Sequence, residues 1–262
     1  MKKFLMCEPD FFSVEYEINP WMHVENRVEK KLAQKQWQTL YDICISLGAE
    51  IELIEPVEGL PDMVFTANEG LVYKNKFVLS NFRCPERQGE SERFKRWFSA
   101  NGYQIIELDK NFKFEGEGEA LFTENTLFAA YGFRSDLESH KLIAEKLNIE
   151  VISLRLVNPK FYHLDTCLCP FSNKIVMYYP GAFDEESAEK IESTAIQTIR
   201  VSEKAALSFI CNAVPIDNKF ITNSNDAEIE EELKNIGYQY LHVNLTEFKK
   251  SGGGTRCLML EI

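Results

Sequence analysis

No apolar run in this chain is long enough to cross a bilayer, and the first ten residues, Met1 to Asp10, hold too short an apolar stretch for a secretory signal. A cytoplasmic location is expected from both absences. Positive charge is in deficit as well. The 29 Lys and Arg against 41 Asp and Glu leave a formal charge of -12, which disfavours attraction to phosphate backbones and anionic lipid. Neither nucleic acid nor a membrane is an expected partner. Regularly paired cysteines are missing too: Cys7, Cys44, Cys84, Cys167, Cys169, Cys211 and Cys257 are odd in number and irregular in spacing, which excludes a complete disulfide framework. Cys167-Leu168-Cys169 is the one close pair, and it lacks a second cysteine pair or a histidine at zinc-site spacing. No metal or cofactor is expected.

What is present begins with a core. A chain of 262 residues at 45% hydrophobic content buries a substantial one, although length alone allows one large domain or two small ones. An internal repeat decides between them. Phe65 to Asp109 reads as a strand at Leu71-Val72-Tyr73, an Asn75-Lys76 turn, a strand at Phe77-Val78-Leu79, a helix Ser91–Ala100 ending at Gly102, and a strand Gln104–Leu108. Phe114 to Pro159 repeats the order, with a Glu124-Asn125 turn, a helix opened by a Ser135/Glu138 capping box and a strand Glu150–Leu154. Phe161 to Val201 repeats it again, through the turn Ser172-Asn173-Lys174, the strand Ile175–Tyr178 and a helix from Asp184. A fourth copy runs from Phe209 to Val243, with the Asp217-Asn218-Lys219 turn, a helix after Asn225 or Asp226 closed by Gly237, and a strand Tyr238–Val243.

The fifth unit is split between the ends. Cys257–Glu261 and Lys3–Glu8 supply two strands, Glu25–Leu47 an amphipathic helix closed by Gly48, and Glu50–Ile54 the last strand. Five β-β-α-β units whose ends meet imply an α/β propeller of pseudo-fivefold symmetry, one domain spanning residues 1–262. Equivalent strands should aim equivalent positions at the axis. The polar residues at those strand starts are Asn68, Glu115, His163, Asn212 and Cys257, spaced 45 to 49 residues apart. Strands of a buried α/β core are normally near-continuous apolar runs, so a recurring polar entrance is not a packing requirement. Strand-capping would account for Asn68 and Asn212. It accounts less well for a thiol, an imidazole and a carboxylate.

Cysteine and histidine on one axis supply a nucleophile and a proton carrier. Ser251-Gly252-Gly253-Gly254-Thr255-Arg256-Cys257 delivers the thiol on a glycine run, which lets backbone approach a ligand closely. In a strand, His163 and Asp165 would share one face. Glu115, Glu117 and Glu119 alternate with glycines, a pattern that also fits a solvated acidic loop or an oxygen-ligand cation site, although no EF-hand pattern accompanies it.

Pro61-Asp62-Met63-Val64-Phe65-Thr66-Ala67-Asn68, Phe114-Glu115-Gly116, His163-Leu164-Asp165-Thr166 and Gly253-Gly254-Thr255-Arg256-Cys257 together resemble the guanidino-group-modifying enzymes of the pentein fold, in family order over most of the chain. Tyr16 to Met22, Arg83 to Glu90 and Tyr131 to Ser135 look most like the arginine dihydrolase branch. The resemblance implies a small guanidino substrate such as arginine, no cofactor, Cys257 as nucleophile and His163 as acid and base. It also implies that Glu115 and Asp165 hold the guanidinium, and that Arg134, with Arg87 as a weaker second, meets the α-carboxylate. Asn68 stands where deiminases place an aspartate. A neutral amide both donates and accepts, which allows a second hydrolysis from citrulline to ornithine. Asn19 could reach the same pocket, although Asn-Pro also marks an ordinary turn. The alternatives are a hydrolase of methylated arginine, an amidinotransferase and a catalytically silent binding protein of the same fold; Cys257, His163 and Glu115 together speak against the last.

Overall fold

Strand β1 (Lys3–Cys7) has four of its five residues buried and lies in the middle of a three-stranded sheet. On one side it pairs antiparallel with the last strand of the chain, and on the other it pairs in parallel with β2 (Glu50–Ile54). A parallel pair needs a crossover, and helix α1 (Lys30–Ser46) provides it. This is the split fifth unit, in a computed structural model that describes residues 1–123, 126–171, 175–195 and 197–262.

The same pattern follows four times. Strands β3 (Gly70–Tyr73) and β4 (Lys76–Leu79), helix α2 (Ser91–Ala100) and strand β5 (Gln104–Ile106) form the next unit. After it come β6 (Ala120–Thr123), β7 (Thr126–Tyr131), α3 (Leu137–Leu147) and β8 (Glu150–Arg155). The third set is β9 (Leu168–Pro170), β10 (Ile175–Tyr178), α4 (Glu185–Thr194) and β11 (Gln197–Arg200), followed by the short helix α5 (Glu203–Leu207). The last is β12 (Val214–Ile216), β13 (Lys219–Thr222), α6 (Ala227–Asn235) and β14 (Gln239–His242). Helix α7 (Thr246–Lys249) then leads to β15 (Leu260–Glu261), the partner of β1. In every sheet the first strand runs antiparallel to the second and the third runs parallel to it. This is the five-unit α/β propeller that the repeat predicts, and the architecture that the pentein resemblance implies.

The core runs inside the units and continues between them. Phe4 and Met6 of β1 pack with Trp37 and Leu40 of α1, and also with Val214, Ile216 and Ile221 of the neighbouring sheet. On the other face Leu5 and Cys7 join Phe77, Leu79, Phe94 and Phe98. The unit is therefore flanked on both sides by neighbours, and burial of these inter-unit faces, at ~25 cal/mol per Å², is gained when the ring assembles.

Several boundaries differ from expectation. The last strand was expected from Cys257 and begins at Leu260, because the N–H groups of Arg256 and Cys257 go to the Asn212 side chain and Met259 N–H turns back to the Arg256 carbonyl. His163 and Asp165 do not share a strand: His163 is extended and Leu164–Thr166 is a 3₁₀ turn, closed by the Thr166 hydroxyl on the His163 carbonyl at 2.6 Å. Ser135 does not open α3. Asp136 takes the cap position, and the Ser135 hydroxyl instead accepts from Glu115 N–H at 3.2 Å. Helix α1 begins at Lys30 rather than near Glu25, leaving residues 8–29 as a strap over one end of the ring. Helices α5 and α7 were not anticipated. The turns expected at 124–125 and 172–174 lie outside the described residues.

Candidate active site

Each first strand is preceded by a tight turn, and these turns converge at one end of the axis. Thr66–Glu69, Gly116–Gly118 and Leu164–Thr166 are single 3₁₀ turns before β3, β6 and β9. They bring Asn68 and His163, with Glu115 bonded to the imidazole behind it, to a narrow cavity that Cys257 also lines. Gly118 makes this approach possible: a β-carbon there would lie 2.3 Å from Asn68 Nδ2 and 3.2 Å from His163 Nδ1.

His163 Nε2 lies 2.8 Å from Glu115 Oε2, and Arg134 Nη1 donates to the same oxygen at 3.0 Å. Burial alone would raise the Glu115 carboxyl, but the Arg134 guanidinium and the imidazole contact outweigh it and hold the group at about 2. It is an anion at any working pH. Burial lowers His163, and Glu115 opposes that shift. Cys257 Sγ donates to Asp165 Oδ2 at 3.0 Å and accepts from Asn212 Nδ2 at 3.1 Å. Burial and then the Asp165 carboxylate push the thiol well up. Burial also raises Asp165, whose Oδ1 is buried without a partner.

The remaining expected residues are placed as follows. Asn68, Arg134, Asn19 and Arg87 all line the cavity. Arg134 has a second bond, Nη2 to the Ile18 carbonyl at 2.6 Å, and lies over the Tyr162 ring at 4.9 Å. Arg87 is fully enclosed, paired with Glu90 at 2.7 Å and Glu69 at 3.2 Å, and it donates to Asn68 Oδ1 at 2.8 Å. Its cation holds a buried carboxylate pair and the asparagine in place. Asn19 Nδ2 donates to the Ser251 carbonyl at 3.0 Å, which ties the strap to the glycine run. Glu117 and Glu119 are not part of a solvated loop. Both are buried, Glu117 against Arg256 at 3.5 Å, and burial raises Glu117 to about 8 and Glu119 well above its ordinary range. Cys167 and Cys169 are also buried, donating to backbone carbonyls.

Two lining residues went unread in the sequence. Asp62 accepts from the Tyr16 hydroxyl at 2.9 Å, its Oδ1 has no partner, and burial raises it to about 6. An aspartate inside the otherwise apolar Pro61–Val64 stretch was the available signal. Tyr162 donates to the Gly252 carbonyl at 2.9 Å and lies against His163, with ring centroids 4.6 Å apart.

A five-unit ring with a thiol, an imidazole and three carboxylates at one axial end defines a class of cysteine-centred penteins. Within that class, the chain belongs to the family described as N,N dimethylarginine dimethylhydrolase, eukaryotic, whose sequence model matches residues 12–262. It is 46% identical to the bifunctional arginine dihydrolase/ornithine cyclodeaminase AgrE of a Nostoc species, over 99% of this chain and 38% of that protein. The chain thus spans under two fifths of the length of that relative. It is 38% identical to an N(G),N(G)-dimethylarginine dimethylaminohydrolase of Mycobacterium tuberculosis, covering 100% of this chain and 86% of the relative. Among solved structures it resembles the N-terminal domain of ArgZ, a cyanobacterial arginine dihydrolase crystallised as a cysteine-to-serine variant bound to substrate, with a TM-score of 0.96 at 44% identity over 100% of this chain and 98% of that one.

Proposed function

We propose that residues 1–262 act as one catalytic domain that hydrolyses the guanidino carbon of arginine, through a covalent bond to Cys257, and carries the product on to ornithine. One observation supports this most. Two buried carboxylate oxygens lack partners: Asp62 Oδ1 in the wall of a cavity that also holds a thiol and an arginine, and Asp165 Oδ1, whose carboxylate bonds that thiol from behind. Such oxygens match a ligand with two cationic ends, an α-ammonium for Asp62 and a guanidinium for Asp165, while Arg134 meets the carboxylate.

The guanidinium brings positive charge beside the sulfur, which favours the thiolate that attacks the electrophilic carbon. His163 delivers a proton to the departing ammonia. Water then adds to the amidino-thioether while His163 takes its proton, and the carbon–sulfur bond breaks to release citrulline. Glu115, anionic and 2.8 Å away, orients the ring and stabilises its cation.

Asn68 supports the second round. Its Oδ1 is taken by Arg87, so the carboxamide presents Nδ2, which is buried without a partner. A donor suits the ureido oxygen of citrulline better than a guanidinium, which offers only N–H groups. The deciding assay incubates the protein with arginine and quantifies both products, with ornithine and two ammonia per arginine expected. Citrulline as the sole end product removes the second hydrolysis. The family description and the mycobacterial relative favour a second reading, methylated arginine as substrate. Methylamines from methylated arginine, with no ammonia from arginine, would select it.

A further inference from the structure

Asn212 is one of two axial residues for which strand-capping would account, and its surroundings say more. It is fully buried in the turn before β12, yet its carboxamide reaches across to the nucleophile. Oδ1 accepts from Arg256 N–H at 2.9 Å and Cys257 N–H at 3.4 Å. These two donors fix the orientation of the amide, because a flipped group would set N–H against N–H. Nδ2 is thereby committed to the other side, where it donates to Cys257 Sγ at 3.1 Å and to the Asp165 carbonyl at 3.2 Å. A β-carbon on Gly254 would lie 2.8 Å from Asn212 Oδ1 and 2.4 Å from Asn223 Oδ1, so the glycine run is shaped to admit these amides.

We propose that Asn212 is a further catalytic residue, whose Nδ2 donor holds the anion on Cys257 sulfur whenever that atom is unprotonated. The sulfur has two polar side-chain neighbours of opposite preference. The Asp165 carboxylate accepts from the thiol and favours S–H, whereas an N–H donor favours S⁻. On ionisation the thiol proton leaves for His163, which later delivers it to the departing ammonia, while Asp165 stays a carboxylate and the charge left on sulfur keeps the Asn212 bond. The same bond serves when the thiolate departs from carbon. The charged and titratable groups facing the sulfur are Asp165, His163 and Tyr162 from the third unit, and Asp62, Arg87 and Arg134 across the cavity. Among the described residues, Asn212 is the neutral side chain that donates to it.

The inference rests on Cys257 as the nucleophile but not on arginine as the substrate. Alkylation of Cys257 by iodoacetamide, followed across pH by peptide mass spectrometry, reads the thiolate without any guanidino compound. Asn212→Leu removes the donor at nearly the same volume without placing a second carboxylate charge beside the sulfur. Its alkylation midpoint should rise by about one pH unit or more, and kcat should fall at least roughly tenfold with KM within about threefold. A turn anchor alone would leave the midpoint in place, and an unmoved midpoint overturns the proposal. Should Asn212→Leu fail to fold, the wild-type side-chain amide resonance of Asn212 decides. It should shift with the alkylation midpoint, and a resonance flat through that midpoint refutes the contact. Wild-type protein inert towards arginine would refute the substrate reading and leave this result untouched.

Discussion

Glu117 shows how far one residue's surroundings depart from what its neighbours in sequence suggest. It alternates with Glu115 and Glu119, yet Glu115 is held as an anion by Arg134 and His163 while Glu117, buried against Arg256, titrates at about 8. The ordinary value is 4.5, so between 4.5 and about 8 the folded chain keeps a proton that the unfolded chain has lost. The contribution of Glu117 to stability is then fully present below 4.5 and declines as pH rises towards 8. Glu117→Gln retains the neutral shape and removes that slope. Thermal melts should show the wild type losing Tm relative to the variant as pH is raised through this window; a constant difference would show that Glu117 is ionised throughout. No spacing rule separates these three carboxyls, because burial and the facing charges set them: Arg134 and His163 for Glu115, Arg256 for Glu117 and the Glu115 carboxylate for Glu119.

Caps were the best-read feature among the elements, since they depend on three or four consecutive residues. Asp184 and Asp226 each accept from the N–H three residues on, at 2.9 and 3.1 Å, and open α4 and α6 where the sequence placed them. Asp226→Ala should therefore cost about 1 kcal/mol in urea unfolding, and a change near zero would mean that α6 is held by packing alone. Ser135 had the same local credentials and failed, because Glu115 N–H, twenty residues upstream, competes for its hydroxyl. The strand expected from Cys257 failed similarly: Asn212, 45 residues back, takes the backbone donors that a ladder would have used. Local signals hold until a long-range donor or acceptor claims the same group.

At the scale of the whole molecule the ring closes through two residues of β15, which are paired with Phe4 and Leu5. Deleting Leu260–Ile262 unpairs that edge of β1 and opens the layer in which Leu5 and Leu260 are buried with Phe77 and Phe98. Far-UV circular dichroism melts and thiol alkylation should both change, with an early or non-cooperative transition and a Cys257 that alkylates without protection. A truncated chain that melts like the full one would show that closure is not needed for folding. The sequence by itself determined the five-unit count, the split fifth unit, the β-β-α-β order within each unit and the polar position at each strand entrance, because period-2 and helical patterns, turns and caps are short-range and recur. Only the tertiary structure decided that Glu115 bonds His163, that Arg87 is engaged by Glu90 and Glu69, that Asp62 and Asp165 keep unpartnered oxygens, and that Asn212 touches the sulfur. Those contacts join stretches from different units, and protonation and hydrogen-bond partners depend on burial and facing charge, which exist only once the ring has closed.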